Sequence, residues 1–220
     1  KVINSPNGNS NAVGEHVLGL LLMMANNLYR AISQVREKQW IREQNRGFEL
    51  ENKFIGVIGI GNAGSAFCKK LEGFNVNLLP HDKYKSQIES INRASYKLEE
   101  LYSKAEVVSL HLPLNQETHY YGSDNFFNSF KKPIYFINAS RGGVLDTKAL
   151  LKAITKGKVI MAALDVLEVE PLKNGNEEQQ TLITELLETE KVLITPHIAG
   201  WTHEAKRKMF SLLINRFKAL

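Results

Sequence analysis

Three side chains with the chemistry of an acid–base site each follow a short apolar run of the sequence. Arg141 stands in "INASRGGVLD", His197 in "TPHIAGW", and one of three carboxylates, Asp165, Glu168 or Glu170, in "ALDVLEVEP". An imidazole can move a proton near neutral pH, a carboxylate can hold its other nitrogen, and a guanidinium fork suits a carboxylate ligand. If the three side chains meet, they predict proton transfer on an anionic substrate.

Each of these motifs also has a simpler interpretation. A lone histidine is more often structural than catalytic, and Arg141 is equally a surface arginine in a glycine-rich turn. The catalytic interpretation therefore depends on convergence of the three side chains. We expect Gly142 and Gly143 to leave room for a ligand beside Arg141, and Gly200 to leave open space beside His197.

A glycine motif predicts a dinucleotide site. "GIGNAG" places Gly59, Gly61 and Gly64 in the pattern G-x-G-x-x-G, after a β-rich run and at the start of a helical one. In this context Gly59 permits the tight turn, Gly61 lets the backbone approach a pyrophosphate, and Gly64 lets the helix pack closely. The N–H groups at the start of the helix then face the phosphates. The alternative is that these are glycines of an ordinary turn.

Asp82 favours NAD as the dinucleotide. It lies eighteen residues after Gly64 and follows the next β-rich run. A carboxylate at this position accepts hydrogen bonds from the ribose hydroxyls and repels the 2′-phosphate of NADP. Lys83 and Lys85 weaken the argument because they soften that repulsion, and the alternative is an aspartate of an ordinary loop.

The elements that carry these residues form a repeating pattern from Lys53 onward. Six β-rich apolar runs alternate with helical patterns, in which apolar residues recur three and four positions apart. The β-rich runs are Phe54–Ile60, Val76–Pro80, Glu106–Leu112, Pro133–Ala139, Val159–Val166 and Lys191–His197. The pattern predicts an α/β fold with a doubly wound parallel sheet, covered by helices on both faces.

Polar residues or glycines follow each predicted strand. They are Gly59–Gly64, Asp82, His111 and Pro113, Asn138–Arg141, Asp165–Glu170, and His197. Ligands of open α/β sheets bind outside the carboxyl ends of the strands. One ligand is therefore expected to cross this edge, with His111 on the adenine side. The remaining histidines we interpret as packing, capping or surface residues; they are His16, His81, His119 and His203.

Composition limits the class of protein. With 220 residues, of which 43% are hydrophobic and 23% charged, the chain fits one globular domain. The net charge of +5 is scattered, which argues against a nucleic-acid surface and suits small anionic ligands. The only cysteine, Cys68, excludes an internal disulfide and favours the cytoplasm; we expect it to pack within a helix. No residues have the spacing of a metal site.

The longest apolar run, Val17–Ala25, is too short to cross a bilayer. A helix that is apolar on nearly all sides requires burial, so we expect a core helix or a subunit contact rather than a membrane span. The opening "KVINSP" looks like the tail of a strand, and the closing "SLLINRFKAL" looks like a helix without a stop signal. We therefore expect the chain to belong to a larger protein.

Several ordered motifs resemble those of the D-isomer-specific 2-hydroxyacid dehydrogenases, within these the 3-phosphoglycerate dehydrogenase-like branch. The resemblance covers essentially the whole chain and is carried by "NSPNGNSNAVGEHVLGLLL", "GVIGIGNAGSAF", "VVSLHLPLNQETHYY", "INASRGGVLD", "AALDVLEVEP" and "VLITPHIAGWT". It implies a Rossmann fold, NAD as the cofactor, and a role in serine biosynthesis. The implied reaction is hydride transfer between the nicotinamide and C2 of a 2-hydroxy or 2-keto acid.

The resemblance also implies roles for residues. Arg141, Glu170 and His197 take the catalytic positions, and Arg141 binds the substrate carboxylate. Asn9 and Ser10 align with a segment that helps to hold the substrate. The implied cofactor contacts are Gly59, Gly61, Asn62, Ala63, Gly64, Asp82, His111, Pro113, Ala139, Ser140, Arg141, Asp165, His197 and Gly200.

The three acids of "ALDVLEVEP" are expected to have different roles. Asp165, at the strand end, faces the nicotinamide. Glu168 is a solvated loop acid whose loss costs little. Glu170 bonds one ring nitrogen of His197 and favours the imidazolium form.

A homodimer through the N-terminal apolar helix is a further implication of the resemblance. So is a second, substrate-binding domain, nearly all of which is absent from residues 1–220. The dinucleotide-binding domain alone is then expected to bind NAD and to turn over poorly or not at all. Two alternatives stay open: an NAD-sensing, corepressor-like interaction protein with the same three residues, and a structural domain that does not bind NAD.

Overall fold

All six predicted β-rich runs are strands in the computed structural model, which describes residues 2–5 and 7–218. The strands are β1 (Phe54–Ile58), β2 (Asn77–His81), β3 (Gln87–Ile88), β4 (Arg93–Ala94), β5 (Val107–Leu110), β6 (Ile134–Asn138), β7 (Val159–Leu164) and β8 (Val192–Ile194). The short β3 and β4 pair with each other as an antiparallel hairpin. The other six form one parallel sheet in the order β2-β1-β5-β6-β7-β8, so the predicted fold class is confirmed.

Helices connect the parallel strands as predicted. The α-helices of the described chain are α1 (Ser10–Ala25), α2 (Leu28–Arg36), α3 (Asn62–Leu71), α4 (Leu98–Lys104), α5 (Asp124–Ser129), α6 (Thr147–Thr155), α7 (Glu177–Glu188) and α8 (His203–Lys218). The five helical patterns between the predicted strands correspond to α3 through α7. The short helix α2 and the β3–β4 hairpin were not predicted.

The sheet has an apolar core on each face. Leu101 of α4, Phe127 of α5 and Leu150 of α6 are buried in one core. Val17 of α1 and Phe67 of α3 are buried in the other. A strand covered on both sides is apolar along its whole length rather than at alternate positions, and all four residues of β5 are buried. Of the two expectations for the apolar run Val17–Ala25, the core helix is confirmed.

The strand order places all the site-bearing loops along one edge. From β1 the chain moves outward to β2, then returns to the other side of β1 for β5, so the direction of winding switches between β1 and β5. Such a switch opens a crevice at the carboxyl ends of the strands. The loops after β6, β7 and β8 are neighbours along the same edge because these strands are adjacent in the sheet.

The prediction of a strand at the start of the chain is wrong for the residues that the structure describes. Residues 2–5 have no regular secondary structure, while Lys1 and Pro6 of the same motif lie outside the described residues. Instead of pairing with a strand, this segment is bonded to α8, since Arg216 donates to both the backbone and the side-chain oxygen of Asn4.

The C-terminal helical pattern is confirmed as far as Lys218 in α8, and Ala219 and Leu220 lie outside the described residues. Among the described helices, none combines the length and the apolar character that crossing a bilayer requires.

Candidate active site

The glycine loop after β1 leaves space where the motif predicts a pyrophosphate. Gly59 has φ +90°, and a Cβ there would lie 2.6 Å from the carbonyl oxygen of His111. A Cβ on Gly64 would collide with the carbonyl of Gly59, so both positions need glycine for close packing. A Cβ on Gly61 would meet no heavy atom within 4 Å. The open side of Gly61 is the surface that a phosphate group can approach.

A cleft of about 750 Å³ runs beside this loop and along α3. The cleft is rich in basic and hydroxyl side chains, and the residues that line it include Ser10, Asn11, Gly61, Asn62, Ser65, Lys69, Lys70, Lys85 and Ser90. Asn62 and the partly buried Ala63 form the first turn of α3. Backbone N–H groups at a helix start and nearby lysines both favour an anionic ligand.

Asp82 follows β2 and holds the glycine loop in place. Its Oδ2 accepts the N–H of Ile60 at 3.0 Å, and its Oδ1 accepts the N–H of Tyr84 at 3.1 Å. The Nζ of Lys85 lies 3.8 Å from Oδ2 and donates to the carbonyl of Ile60 at 2.7 Å. Lys83 is turned away to pair with Glu117. Of the two lysines, only Lys85 is placed to soften repulsion at this carboxylate.

His111, at the end of β5, is a neutral packing side chain at the inner wall of the crevice. Its Nε2 lies 2.9 Å from the Oγ of Ser109, and its ring packs on Phe67 with the ring centres 5.6 Å apart. Burial lowers the pKa of His111 to about 4. Its Nδ1 is buried without a hydrogen-bond partner among the described residues, and Pro113 beyond it is exposed.

The turn after β6 is built on Asn138, to which the sequence analysis gave a place at a strand end but no individual role. The fully buried Asn138 accepts the N–H and the hydroxyl of Ser140 at 3.1 and 2.7 Å and donates to the carbonyl of Arg141 at 3.1 Å. These bonds fix the backbone on both sides of the catalytic candidate. An asparagine closing an otherwise apolar strand was the available signal. Ala139, between them, is also buried.

The Arg141 side chain extends from this turn into solvent. Its Nη1 donates to the carbonyl of Ser140 at 2.6 Å. No ion pair to Arg141 occurs within the described chain by the usual distance criterion. An exposed guanidinium anchored at one nitrogen keeps its remaining N–H donors for an anion.

The two glycines after Arg141 do not leave room for a ligand, so that prediction is wrong. A Cβ on Gly142 would collide with the carbonyl of Leu167, and a Cβ on Gly143 would lie 3.2 Å from Leu114. Protein atoms already fill both positions. The lack of a side chain at Gly142 allows the Arg141 turn to lie directly against the loop that follows β7.

His197 and Glu170 form the central pair of the site. The Nδ1 of His197 lies 2.6 Å from Oε2 of Glu170. Oε1 of the same carboxylate accepts the N–H of Leu167 at 2.8 Å, which fixes the acid in its own loop. With Nδ1 engaged, Nε2 is the ring nitrogen that faces away from Glu170. His197 has φ +55°, a left-handed conformation that directs the ring out of the turn after β8.

Asp165 holds the backbone of the turn after β8 by hydrogen bonds. Its carboxylate accepts the Thr195 hydroxyl at 2.6 Å and the N–H groups of Ile198 and Ala199 at 2.9 and 2.8 Å. Burial raises the pKa of Asp165, but bonds from His16, Thr195 and these two N–H groups outweigh burial and hold the pKa below its ordinary value. The whole residue is 1% exposed. Its contact with the nicotinamide stays a prediction.

Glu168 is not a solvated bystander, and that prediction is wrong. Its Oε1 accepts the N–H of Thr147, the first residue of α6, at 2.7 Å. Its Oε2 accepts the hydroxyl of Tyr120 at 2.7 Å. Glu168 therefore ties the loop after β7 to the start of α6 and to the loop after β5.

The start of α1 reaches the same edge. A Cβ on Gly200 would collide with the amide of Asn9, so the open space predicted at Gly200 is already filled by that side chain. Ser10 begins α1 and lines the cleft near Gly61. The segment predicted to hold substrate thus lies between the phosphate cleft and the His197 turn.

Two further observations define what the site is not built from. Within residues 2–5 and 7–218, no three His, Cys, Asp or Glu side chains are grouped as a metal site would require. Cys68 is buried in α3 as predicted, and burial raises the pKa of its thiol to about 12. A thiol that stays protonated is a packing group rather than a nucleophile.

The parallel sheet, the glycine loop and the acid–base pair define a dinucleotide-binding domain of the dehydrogenase class. Residues 18–199 match the family described as "D-isomer specific 2-hydroxyacid dehydrogenase, NAD binding domain". The chain belongs to this family, and it is an NAD-binding domain.

Named relatives support the same assignment. The chain is 35% identical to the D-3-phosphoglycerate dehydrogenase of Archaeoglobus fulgidus, over 93% of this chain and 38% of that protein. It is 35% identical to the glyoxylate reductase of Thermofilum pendens, over 96% of this chain and 62% of that protein. The crystal structure of D-lactate dehydrogenase from Aquifex aeolicus, complexed with NAD and lactic acid, superposes with a TM-score of 0.88 at 29% identity, covering 98% of this chain and 67% of that one. The chain thus spans only 38% and 62% of the length of these two relatives.

Proposed function

We propose that this domain serves an NAD-dependent dehydrogenase that interconverts a D-2-hydroxy acid and the corresponding 2-keto acid. The observation that carries the proposal is the 2.6 Å bond between Nδ1 of His197, after β8, and Glu170, after β7, beside the end of β6 that presents Arg141. When bound, NAD supplies the hydride acceptor, or NADH the hydride donor. The chain supplies the proton, the anion site and the orientation.

The proposed proton carrier is Nε2 of His197. In the oxidation direction Nε2 takes the proton of the C2 hydroxyl, and in reduction it returns a proton to the carbonyl oxygen. Glu170 accepts a hydrogen bond from Nδ1–H and compensates the positive ring, so the imidazolium state is held in one orientation. General acid–base help of this kind contributes about 10²–10⁴ in rate.

Arg141 is the proposed anchor for the substrate carboxylate. A planar fork that donates two parallel hydrogen bonds to the carboxylate orients the acid and so sets the direction from which C2 meets the nicotinamide. Ser10 and Asn9, whose amide lies against Gly200 of the His197 turn, are proposed to hold the other side of the substrate.

The cofactor site is proposed to follow the carboxyl edge of the sheet from Asp82 to Gly200. The open side of Gly61 and the start of α3 would receive the pyrophosphate, and Asp82 would accept the ribose hydroxyls. Asp165 and Ser140 lie at the nicotinamide end, with Ala139 and Gly200. His111 and Pro113 lie on the adenine side.

The proposed substrate is 3-phosphoglycerate or a related D-2-hydroxy acid. Similarity to the Archaeoglobus fulgidus protein named D-3-phosphoglycerate dehydrogenase supports it, and with it a role in serine biosynthesis. The protein named glyoxylate reductase is equally similar, at 35% identity, so a panel of acids is the appropriate test. Relatives named as enzymes favour catalysis over a corepressor-like role.

We further propose that residues 1–220 are the dinucleotide-binding domain of a cytoplasmic enzyme whose substrate domain lies outside this chain. A homodimer is proposed through the N-terminal helices. α1 buries its apolar residues against α3 and the sheet, so the exposed surface available for pairing is carried mainly by α2. Its apolar side chains Leu28, Tyr29, Ile32 and Val35 are between 42% and 53% exposed.

The proposal has two separable tests. NAD should raise the melting temperature of the 220-residue chain, because the cofactor cleft lies wholly within it. The protein expressed together with its flanking coding sequence should oxidise or reduce at least one of 3-phosphoglycerate, D-lactate, glyoxylate and hydroxypyruvate, and should not use L-lactate. If NAD stabilised the chain but none of these acids was turned over, the proposed dehydrogenase activity would be wrong and the proposed cofactor binding would stand.

A further inference from the structure

A histidine on α1 lies under the catalytic turn. The Nε2 of His16 is 3.1 Å from the hydroxyl oxygen of Thr195 and 3.4 Å from Oδ1 of Asp165. Its side chain is 20% exposed, while that of Asp165 is fully buried. His16 belongs to α1, Asp165 to the loop after β7, and Thr195 follows the end of β8, just before His197. One cluster therefore joins three parts of the chain.

The directions of the hydrogen bonds follow from the donors available. Thr195 has a single hydroxyl proton, and its oxygen lies 2.6 Å from Oδ1 of Asp165, an ionised carboxylate that can only accept. The hydroxyl proton of Thr195 therefore goes to Asp165. Its oxygen must accept from His16, which means that Nε2 of His16 carries a proton. The chain of donors runs from α1 to the buried carboxylate.

That carboxylate in turn holds the backbone around His197. Asp165 accepts the N–H groups of Ile198 and Ala199 through its side chain, and its carbonyl accepts the N–H of His197 at 2.9 Å. The turn needs this support because His197 adopts φ +55°, a conformation that costs energy for a side chain other than glycine.

From this geometry we infer that His16 is a positioning residue for His197, acting through Thr195 and Asp165. The inference rests on the proposed function for its catalytic meaning, but the geometric claim stands apart from it. A helix that bonds to Thr195 before the turn and contacts Gly200 through Asn9 after it sets the orientation of the imidazole from both sides. His16 is therefore more than the packing histidine that its sequence position suggests.

The test compares three variants of the 220-residue chain by nitrogen-15 NMR of the histidine side chains. His16→Leu removes the donor at nearly constant volume, and His16→Gln keeps an N–H donor where Nε2 stands. Leu186→Ala in α7 is the control, since loss of a fully buried leucine destabilises the fold without touching the site. The readout is the Nδ1–H proton of His197, which the bond to Glu170 shifts downfield.

The expected result is loss or broadening of this His197 signal in His16→Leu, its retention in His16→Gln, and its retention in Leu186→Ala at a similar melting temperature. An unchanged His197 signal in His16→Leu, or an equal loss in Leu186→Ala, overturns the inference. In the longer protein, His16→Leu should reduce kcat on the order of 10²-fold with KM little changed, as for a misoriented catalytic group. If the parent protein turns over no acid, the proposed function fails, and the NMR result still decides the role of His16.

Discussion

At the scale of single residues, the site divides into side chains that face solvent and side chains that hold them. Arg141 is exposed, and the His197 and Glu170 side chains are 50% and 35% exposed. Asn138 and Asp165 are buried beneath them, with 0% and 1% exposure. Buried polar groups are retained where every donor and acceptor is satisfied, and such networks fix a unique geometry. The exposed residues should therefore control chemistry, and the buried ones should control stability as well.

Arg141→Lys should reduce kcat/KM on the order of 10²-fold while NAD affinity is kept. A lysine supplies a point charge but cannot bond the carbonyl of Ser140 and a carboxylate in two parallel bonds as the guanidinium can. Steady-state kinetics of the longer protein would measure the loss, with NAD binding by fluorescence as the control. Turnover equal to that of the parent protein would exclude Arg141 as the carboxylate anchor.

His197→Asn should abolish turnover with little change in melting temperature. Asparagine adopts the left-handed conformation of position 197 more readily than most side chains, and its amide can still donate to Glu170. It has no group that titrates near neutral pH, so proton transfer is lost. Calorimetry and kinetics on the same preparation would separate the two effects, and an active variant would remove His197 from the mechanism.

At the scale of elements, the runs of apolar residues identified the sheet because parallel strands covered on both faces are apolar throughout. The helix α2 was not predicted although Leu28, Ile32 and Val35 recur at helical spacing, because it lies before Lys53, where the alternating pattern of strands and helices begins. The glycines likewise differ in whether the local sequence reveals their role. The spacing of Gly59, Gly61 and Gly64 was informative, whereas the neighbours of Gly142 and Gly200 come from distant parts of the chain.

Long-range bonds explain what else the sequence did not reveal. Tyr120 and Glu168 are 48 positions apart, and His16 and Thr195 are 179 apart. A motif read locally places Glu168 in a loop but cannot show which helix it reaches. By contrast, Glu170 and His197 were paired in advance because the family resemblance supplied the partner.

Glu168→Ala should lower the free energy of unfolding by about 1–3 kcal/mol. The variant leaves the first N–H of α6 without its carboxylate acceptor and releases Tyr120. Glu178→Ala is the matched control, since its pairing with Lys148 at 4.0 Å is between exposed side chains and contributes little. Urea denaturation of both variants tests this expectation. Equal midpoints would mean that Glu168 contributes no more to stability than an exposed acid.

The same bond has a spectroscopic consequence. The hydrogen bond to Glu168, with burial and the charge of that carboxylate, raises the pKa of Tyr120 to about 12. Ultraviolet titration should therefore show one tyrosine whose pKa falls toward 10 in Glu168→Gln, the ordinary value for tyrosine.

At the scale of the whole molecule, acid should weaken the fold through His111. Burial lowers the pKa of His111 from 6.5 to about 4, so the unfolded chain takes up a proton in this range that the folded chain refuses. Stability should be complete above about pH 6.5 and should decline as the pH falls toward 4. In His111→Asn this decline should be smaller, while the exposed His203→Asn should keep it. If the urea midpoints of the parent and of His111→Asn fell equally between pH 6.5 and pH 4, His111 would not be the cause of the loss of stability.

Assembly is the other property that belongs to the whole molecule. On the face of α2, Ile32 and Val35 are 50% and 53% exposed in the described chain, and burying them in a second copy would remove those side chains from water. Ile32→Lys should therefore convert the proposed dimer to a monomer in sedimentation velocity. Ile160→Lys, at a 42% exposed position on β7, is the matched control and should leave the dimer intact. A parent chain that sediments as a monomer would contradict the proposed dimer, and an Ile32→Lys variant that remains a dimer would place the pairing surface elsewhere than on α2.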